Sequence, residues 1–146
     1  MIPHLAMHKN WSPIQNTGEV WTLMKKIRQD NNALQISSMH NGERTRLMPA
    51  PDVEHVASTM AAKLAEEIGG KVDEISSGTG RFGRYGTAVF SAAKFPYCQI
   101  WSLTNEIDFI TATYICDIRP SLEEIEDVRQ MVLSLNLIVE PSKKSA

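Results

Sequence analysis

The sequence predicts an α+β fold, an antiparallel β-sheet of about six strands with two helices in the order ββαββββα. Three observations lead there. Two segments carry a capping residue, acidic residues in the first turn and an apolar stripe at three- and four-residue steps, which marks helices. The other apolar residues alternate with polar ones or cluster in β-branched and aromatic blocks, as strands do. Asn-Gly, Asp-Asn-Asn and Gly-Gly punctuation separates these blocks at the spacing of hairpins and helix ends.

The elements follow in order. Residues 1–18 contain Pro3, Pro13, Asn16 and Gly18 without a sustained period, and read as an irregular arm that is ordered only if Trp11 or Ile14 docks on the domain. A single domain is expected over residues 19–140 and a flexible polar tail over 141–146. In residues 19–28, Val20, Leu23, Met24 and Ile27 fit a helix, whereas Trp21, Leu23 and Ile27 fit a strand. The Val-Trp-Thr opening and the Asp30-Asn31-Asn32 turn favour the strand. Residues 33–40 read as a second strand, closed by Asn41-Gly42.

The first helix starts after Pro51 with Asp52 as its N-cap and Glu54 in its first turn. Val53, Val56, Met60, Leu64 and Ile68 form its stripe, Ala57, Ala61 and Ala65 flank it, and Gly69-Gly70 stops it. Strands are then expected over 71–77, 85–93, 95–104 and 107–118, the last two as a hairpin turning at Asn105-Glu106. Ser121 with Glu124 three residues on is a capping box opening the second helix, whose stripe is Leu122, Ile125, Val128, Val132 and Leu135.

Composition bounds the function. The chain has 146 residues, 42% hydrophobic and 22% charged, a size and balance typical of one globular domain that needs no disulfide or metal. A net charge of -2 argues against general nucleic-acid binding. No run approaches the ~20 apolar residues of a membrane helix, and His4, His8 and Lys9 interrupt any signal-like start. A cytoplasmic location is therefore expected. If the hairpin sets Thr104 opposite Ile107, Cys98 and Cys116 are offset by roughly 10 Å along the strands, too far to bridge. Two buried thiols are expected.

Motifs with chemistry are few. Residues 78–83 spell Gly-Thr-Gly-Arg-Phe-Gly, but a dinucleotide loop must open a helix, and here a strand follows. A kinase glycine loop does lie between strands, yet no H-R-D or D-F-G string occurs. The segment reads as a hairpin connection. Arg81 and Arg84 on it, with Arg44 and Arg46 before the first helix, are candidates for an anion or acidic-partner site. Tyr85 is a candidate aromatic anchor for a partner, in a group with Trp21, Trp101, Tyr97 and Tyr114. His4, His8, His40 and His55 lack zinc spacing, so no metal and no cofactor are expected. The acids Asp73, Glu74, Glu106, Asp108 and Asp117 are scattered along strands and turns, and no catalytic residue can be assigned from them.

On the placement of residues 51–70, the strand block 85–118 and the closing helix from Ser121, the chain resembles the Mog1p/PsbP-like fold. That resemblance spans roughly residues 19–137 and rests on element order alone. It implies adaptor-like binding, since proteins of this fold include a Ran-GTPase-binding factor, photosystem accessory subunits and bacterial effector chaperones. Were residues 20–28 a helix, the order would look more like a small secretion chaperone or immunity protein, also a binder. The expected function is a non-catalytic protein-binding module of adaptor, chaperone or immunity type that binds another protein. The alternative is a small-molecule or anion-binding domain, or an enzyme, built on the Gly/Arg-rich loop 78–86. A homodimer through an exposed strand edge or sheet face is a further expectation.

Overall fold

A computed structural model describes residues 2–16, 20–27, 29–39 and 45–138. Its elements in chain order are β1 (Ile2–His4), β2 (Trp11–Asn16), β3 (Val20–Lys25), β4 (Ala33–Met39), α1 (Val53–Glu67), β5 (Lys71–Thr79), β6 (Arg84–Ala92), β7 (Phe95–Thr104), β8 (Phe109–Cys116), α2 (Leu122–Leu133) and β9 (Asn136–Ile138). Seven strands form one antiparallel sheet in the order β2-β3-β4-β8-β7-β6-β5, and β1 pairs with β9 in a separate two-stranded ribbon. The segment 20–25 is a strand, as its β-branched and aromatic opening indicates.

The seventh strand comes from the stretch read as irregular. β2 carries Pro13, and its pairing with β3 shifts between Pro13 and Gln15, so the alternation expected of a strand is broken in the sequence. What docks it is Trp11, only 2% exposed and edge-on to Tyr114 with ring centroids 6.3 Å apart. Ile14 stays exposed. β1 was hidden for another reason: its partner β9 lies at the other end of the chain, with Ile2 opposite Ile138.

Both helices begin where their caps predict. The Asp52 carboxylate accepts the His55 N–H at 3.1 Å, and the Ser121 hydroxyl accepts the Glu124 N–H at 3.1 Å. The line of α1 that is buried, however, is Val53, Ala57, Ala61 and Ala65. The larger Val56, Met60 and Leu64 are only half-buried beside it. Small residues face the sheet because α1 packs close over β5, β6 and β7. Gly86 makes that approach feasible: a Cβ there would lie 2.4 Å from the Glu54 Cα and the Val53 carbonyl oxygen.

α2 covers the opposite face. Val128, Met131 and Val132 pack with Trp101, Leu103, Ile110 and Tyr114 in the larger core. Leu122, expected on this stripe, is 84% exposed, while Glu124 two residues on turns inward to Tyr114.

The β7–β8 hairpin is wider than a tight turn. Thr104 pairs with Phe109, so Cys98 faces Ile115 and Cys116 faces Tyr97. Asn105 explains the shift: its side-chain carbonyl accepts the N–H groups of Ile107 at 3.0 Å and Asp108 at 2.7 Å, closing a longer loop. The two cysteines are buried and unbridged. Alternation along β7 puts Cys98 on the α1 face and Cys116 on the α2 face, which separates the thiols more decisively than an offset along the strands would.

Candidate functional site

Between α2 and the β5–β7 end of the sheet lies a cavity of about 210 Å³. It exists because α2 is held off the sheet by Trp101, Tyr114 and Met131, all essentially fully buried, but has no such filler over β5 and β6. Strand alternation selects the lining: Glu74 and Ser76 from β5, Tyr85, Thr87 and Val89 from β6, and Tyr97, Gln99 and Trp101 from β7 face the same way. Ile125 and Arg129, one turn apart on α2, close the other side.

Exposure falls inward from the sheet edge. Glu74 and Ser76 are exposed, Tyr85 and Val89 half-buried, and Thr87 and Trp101 buried. The cavity therefore opens beside the edge strand and ends against the Trp101 indole.

Its floor is a locked chain of polar groups. The Tyr97 hydroxyl donates to Gln99 Oε1 at 2.9 Å, Gln99 Nε2 donates to Thr87 Oγ1 at 2.9 Å, and that hydroxyl donates to the Ile100 carbonyl at 2.8 Å. Each member fixes the next, so the amide orientation of Gln99 is set by its neighbours. Burial first, then the Glu74 carboxylate and the charge Cys116 would carry on ionising, outweigh Arg119 and push the Tyr97 phenol up to about 12, so the hydroxyl stays a donor at neutral pH. Among the described residues Glu74 makes no hydrogen bond or ion pair, and Arg129 is held on one side by Glu126, with Nη1 3.1 Å from Oε1.

A second hollow of about 230 Å³ sits between the first turn of α1 and the β5–β6 hairpin, lined by Asp52, Glu54 and Arg84 among others. Tyr85 lines both hollows, because its ring lies over Gly78, where a Cβ would meet the hydroxyl at 2.6 Å.

The arginines singled out in the sequence do not converge. Arg84 donates from Nη2 to the Pro51 carbonyl at 3.1 Å, tying β6 to the start of α1. Arg46 is bonded to the Glu106 carboxylate at the β7–β8 turn. Arg81 sits at the C-terminal end of α2, its N–H donating to the Leu133 carbonyl at 3.0 Å. Arg44 lies outside the described residues. Of the five, only Tyr85 reaches the cavity beneath α2, and Arg84 lines the second hollow. The glycine string forms a hairpin tip, with Gly80 N–H on the Gly83 carbonyl at 2.9 Å and Phe82 buried in the core.

Glu74, Tyr97 and Trp101 were visible in the sequence but could not be brought together from it. Gln99 and Arg129 were missed. The signal for Gln99 is an amide interrupting Tyr97-x-Gln99-x-Trp101, one face of a strand that is otherwise aromatic. Arg129 has no such signal, since i,i+4 from Ile125 on an amphipathic helix is an ordinary rim position. No group of three or more His, Cys, Asp or Glu placed to hold a metal occurs among the described residues. No helix among them is long and apolar enough to cross a membrane.

No protein-family model matches the sequence, and no curated protein does. The fold does have a counterpart among solved structures. The solution structure of the cyanobacterial PsbP protein CyanoP from Synechocystis sp. PCC 6803 superposes with a TM-score of 0.62, covering 93% of this chain and 86% of that one at 9% sequence identity. The chain thus has a PsbP-like α+β fold. At that identity the likeness concerns the fold and carries no site residues.

Proposed function

We propose that the chain is a non-catalytic protein-binding module that captures an extended segment of another protein along the open half of β5. The observation that carries this reading is the unequal protection of the two sheet edges. At one edge, β2 is blunted by Pro13 and a bulge. At the other, β5 is nine residues long and has no strand on its outer side among the described residues. Its first half is protected by a bulge between Val72 and Glu74 and by Lys71 and Asp73, 3.8 Å apart. From Ile75 to Thr79 it pairs regularly with β6 and carries no charge.

An extended segment added there gains main-chain hydrogen bonds, and alternate side chains gain a pocket for specificity. The cavity deepening inward from Ser76 supplies such a pocket. The PsbP-like fold is compatible with an adaptor role, as fold-level analogy only.

The test is selection of short extended peptides from a random display library, followed by NMR mapping of the best binder. Amide shifts and exchange protection are expected at residues 75–79. Ser77→Lys, on an exposed edge position, is expected to leave the spectrum folded and weaken binding at least about tenfold by adding a desolvated charge. Shifts confined to other surfaces, or no effect of Ser77→Lys, would refute the reading. Concentration-dependent dimerisation abolished by the same substitution would overturn it in favour of a second copy.

A further inference from the structure

The cavity has a feature that strand capture does not require. A carboxylate, Glu74, and a guanidinium, Arg129, line it from opposite sides, one on β5 and one on α2. Among the described residues they form no ion pair with each other, and Glu74 makes no hydrogen bond, its charge acting on the Tyr97 phenol. Arg129 contributes Nη1 to Glu126, leaving the rest of its five donors to face elsewhere. The Tyr85, Tyr97 and Trp101 rings and the Val89 and Ile125 side chains line the same cavity.

We propose that this cavity binds a small zwitterion of the α-amino-acid class, its ammonium at Glu74, its carboxylate at Arg129 and an apolar side chain against the Tyr85, Tyr97 and Trp101 rings. The charge arrangement decides the class. A simple anion would meet Glu74, and a simple cation would meet Arg129; only a ligand with both signs satisfies each wall without leaving a like-charge contact. The size agrees. At about 210 Å³ the space is smaller than the roughly 300–1,000 Å³ typical of larger ligand pockets. The floor is preorganised, because Tyr97, Gln99 and Thr87 are already bonded to one another and need no rearrangement. This proposal goes beyond the docking of a partner at the β5 edge and does not depend on it.

The experiment is an NMR titration of the intact chain with phenylalanine and leucine, and separately with phenethylammonium and phenylpropionate, each of which keeps one charge. Shifts are expected at the Trp101 indole N–H and the Gln99 side-chain amide. The amino acids should bind at least about tenfold tighter than either single-charge analogue. Glu74→Gln should remove the advantage of phenylalanine over phenylpropionate, and Arg129→Gln its advantage over phenethylammonium; both residues are exposed enough for the variants to fold. Ser77→Lys should leave this binding unchanged, which separates it from edge docking. Equal binding of the three ligand types, or no shift at Trp101 and Gln99 at any concentration tried, would overturn the proposal.

Discussion

At the scale of single residues, Glu124 does more than its place in a capping box requires. Its N–H is capped by Ser121, while its carboxylate accepts from the Tyr114 hydroxyl, from Lys25 Nζ at 2.5 Å and from Asn32 Nδ2 at 3.2 Å. Asn32 in turn accepts the N–H groups of Asp117 and Ile118 and donates to the Ile118 carbonyl, and Lys25 also holds Asp30 at 2.7 Å. One carboxylate thus joins β3, the turn before β4, the end of β8 and the first turn of α2. Its side chain is 11% exposed, so removing it strands a buried phenol and leaves Lys25 with Asp30 alone. Glu124→Ala is expected to cost about 3 kcal/mol in urea unfolding, and Glu124→Gln less, since the amide still accepts from Tyr114. A cost below about 1 kcal/mol for the alanine variant would show the network to be replaceable by water.

The residue scale also shows what sequence reasoning can reach. Ser121, Glu124 and Asp52 are legible because a cap acts within one turn, so its signature is local. The network around Glu124 is not, because Lys25, Asn32 and Tyr114 come from three other parts of the chain. The same limit applies to the cavity. Period-2 alternation puts Tyr97, Gln99 and Trp101 on one face, but only the packing of α2 over the sheet brings Glu74 and Arg129 to one cavity. The hairpin register failed for a local reason, since an Asn105 side chain that accepts two backbone donors lengthens a turn that composition alone makes look tight.

At the scale of elements, the two helices differ in how they meet the sheet. α1 sits close on a row of alanines over Gly86 and Ala88, whereas α2 stands off on Trp101, Tyr114 and Met131. Close approach leaves no room for adjustment, and standing off leaves a cavity. Both outcomes follow from side-chain size at the contact. Gly86 is the sharpest test. An added Cβ would press on the backbone of Val53 and Glu54, which cannot rotate away as a side chain tip could. Gly86→Ala is therefore expected to destabilise by about 3 kcal/mol, the upper end for overpacking, and to raise hydrogen exchange in the first turn of α1. At Gly78 the obstacle is the end of the Tyr85 side chain, so Gly78→Ala should cost much less and instead displace that ring from the cavity rim. If denaturant midpoints show the two substitutions to be equally costly, the close-approach account of α1 is wrong.

At the scale of the whole molecule, the core withholds several weak acids from water at once. Cys98 and Cys116 are raised from 9.0, Cys116 to about 12, chiefly by burial. Tyr97 is raised from 10.0 to about 12 and Tyr114 is raised as well, again first by burial. For Lys25 burial acts to lower the value, but hydrogen bonds to Asp30 and Glu124 and their charges outweigh it, so it too ends above 10.5. In every case the folded chain keeps a proton that the unfolded chain releases at lower pH. Between the unfolded and folded values the native state binds more protons, so stability falls as pH rises. The contribution of these groups is fully present at neutral pH and is lost progressively from about pH 9, where unfolded cysteine begins to ionise. Each titrating group adds up to about 1.4 kcal/mol per pH unit to the slope within its window. Thermal unfolding in the presence of reductant is expected to show a flat midpoint near neutrality and a steep decline through about pH 9–11. Replacing both cysteines by alanine should delay the onset of that decline toward the tyrosine range, and Tyr97→Phe should flatten its later part. A midpoint constant through the whole range would mean that the core opens to water before these groups titrate, and the burial that shapes both the sheet faces and the cavity floor would need revision.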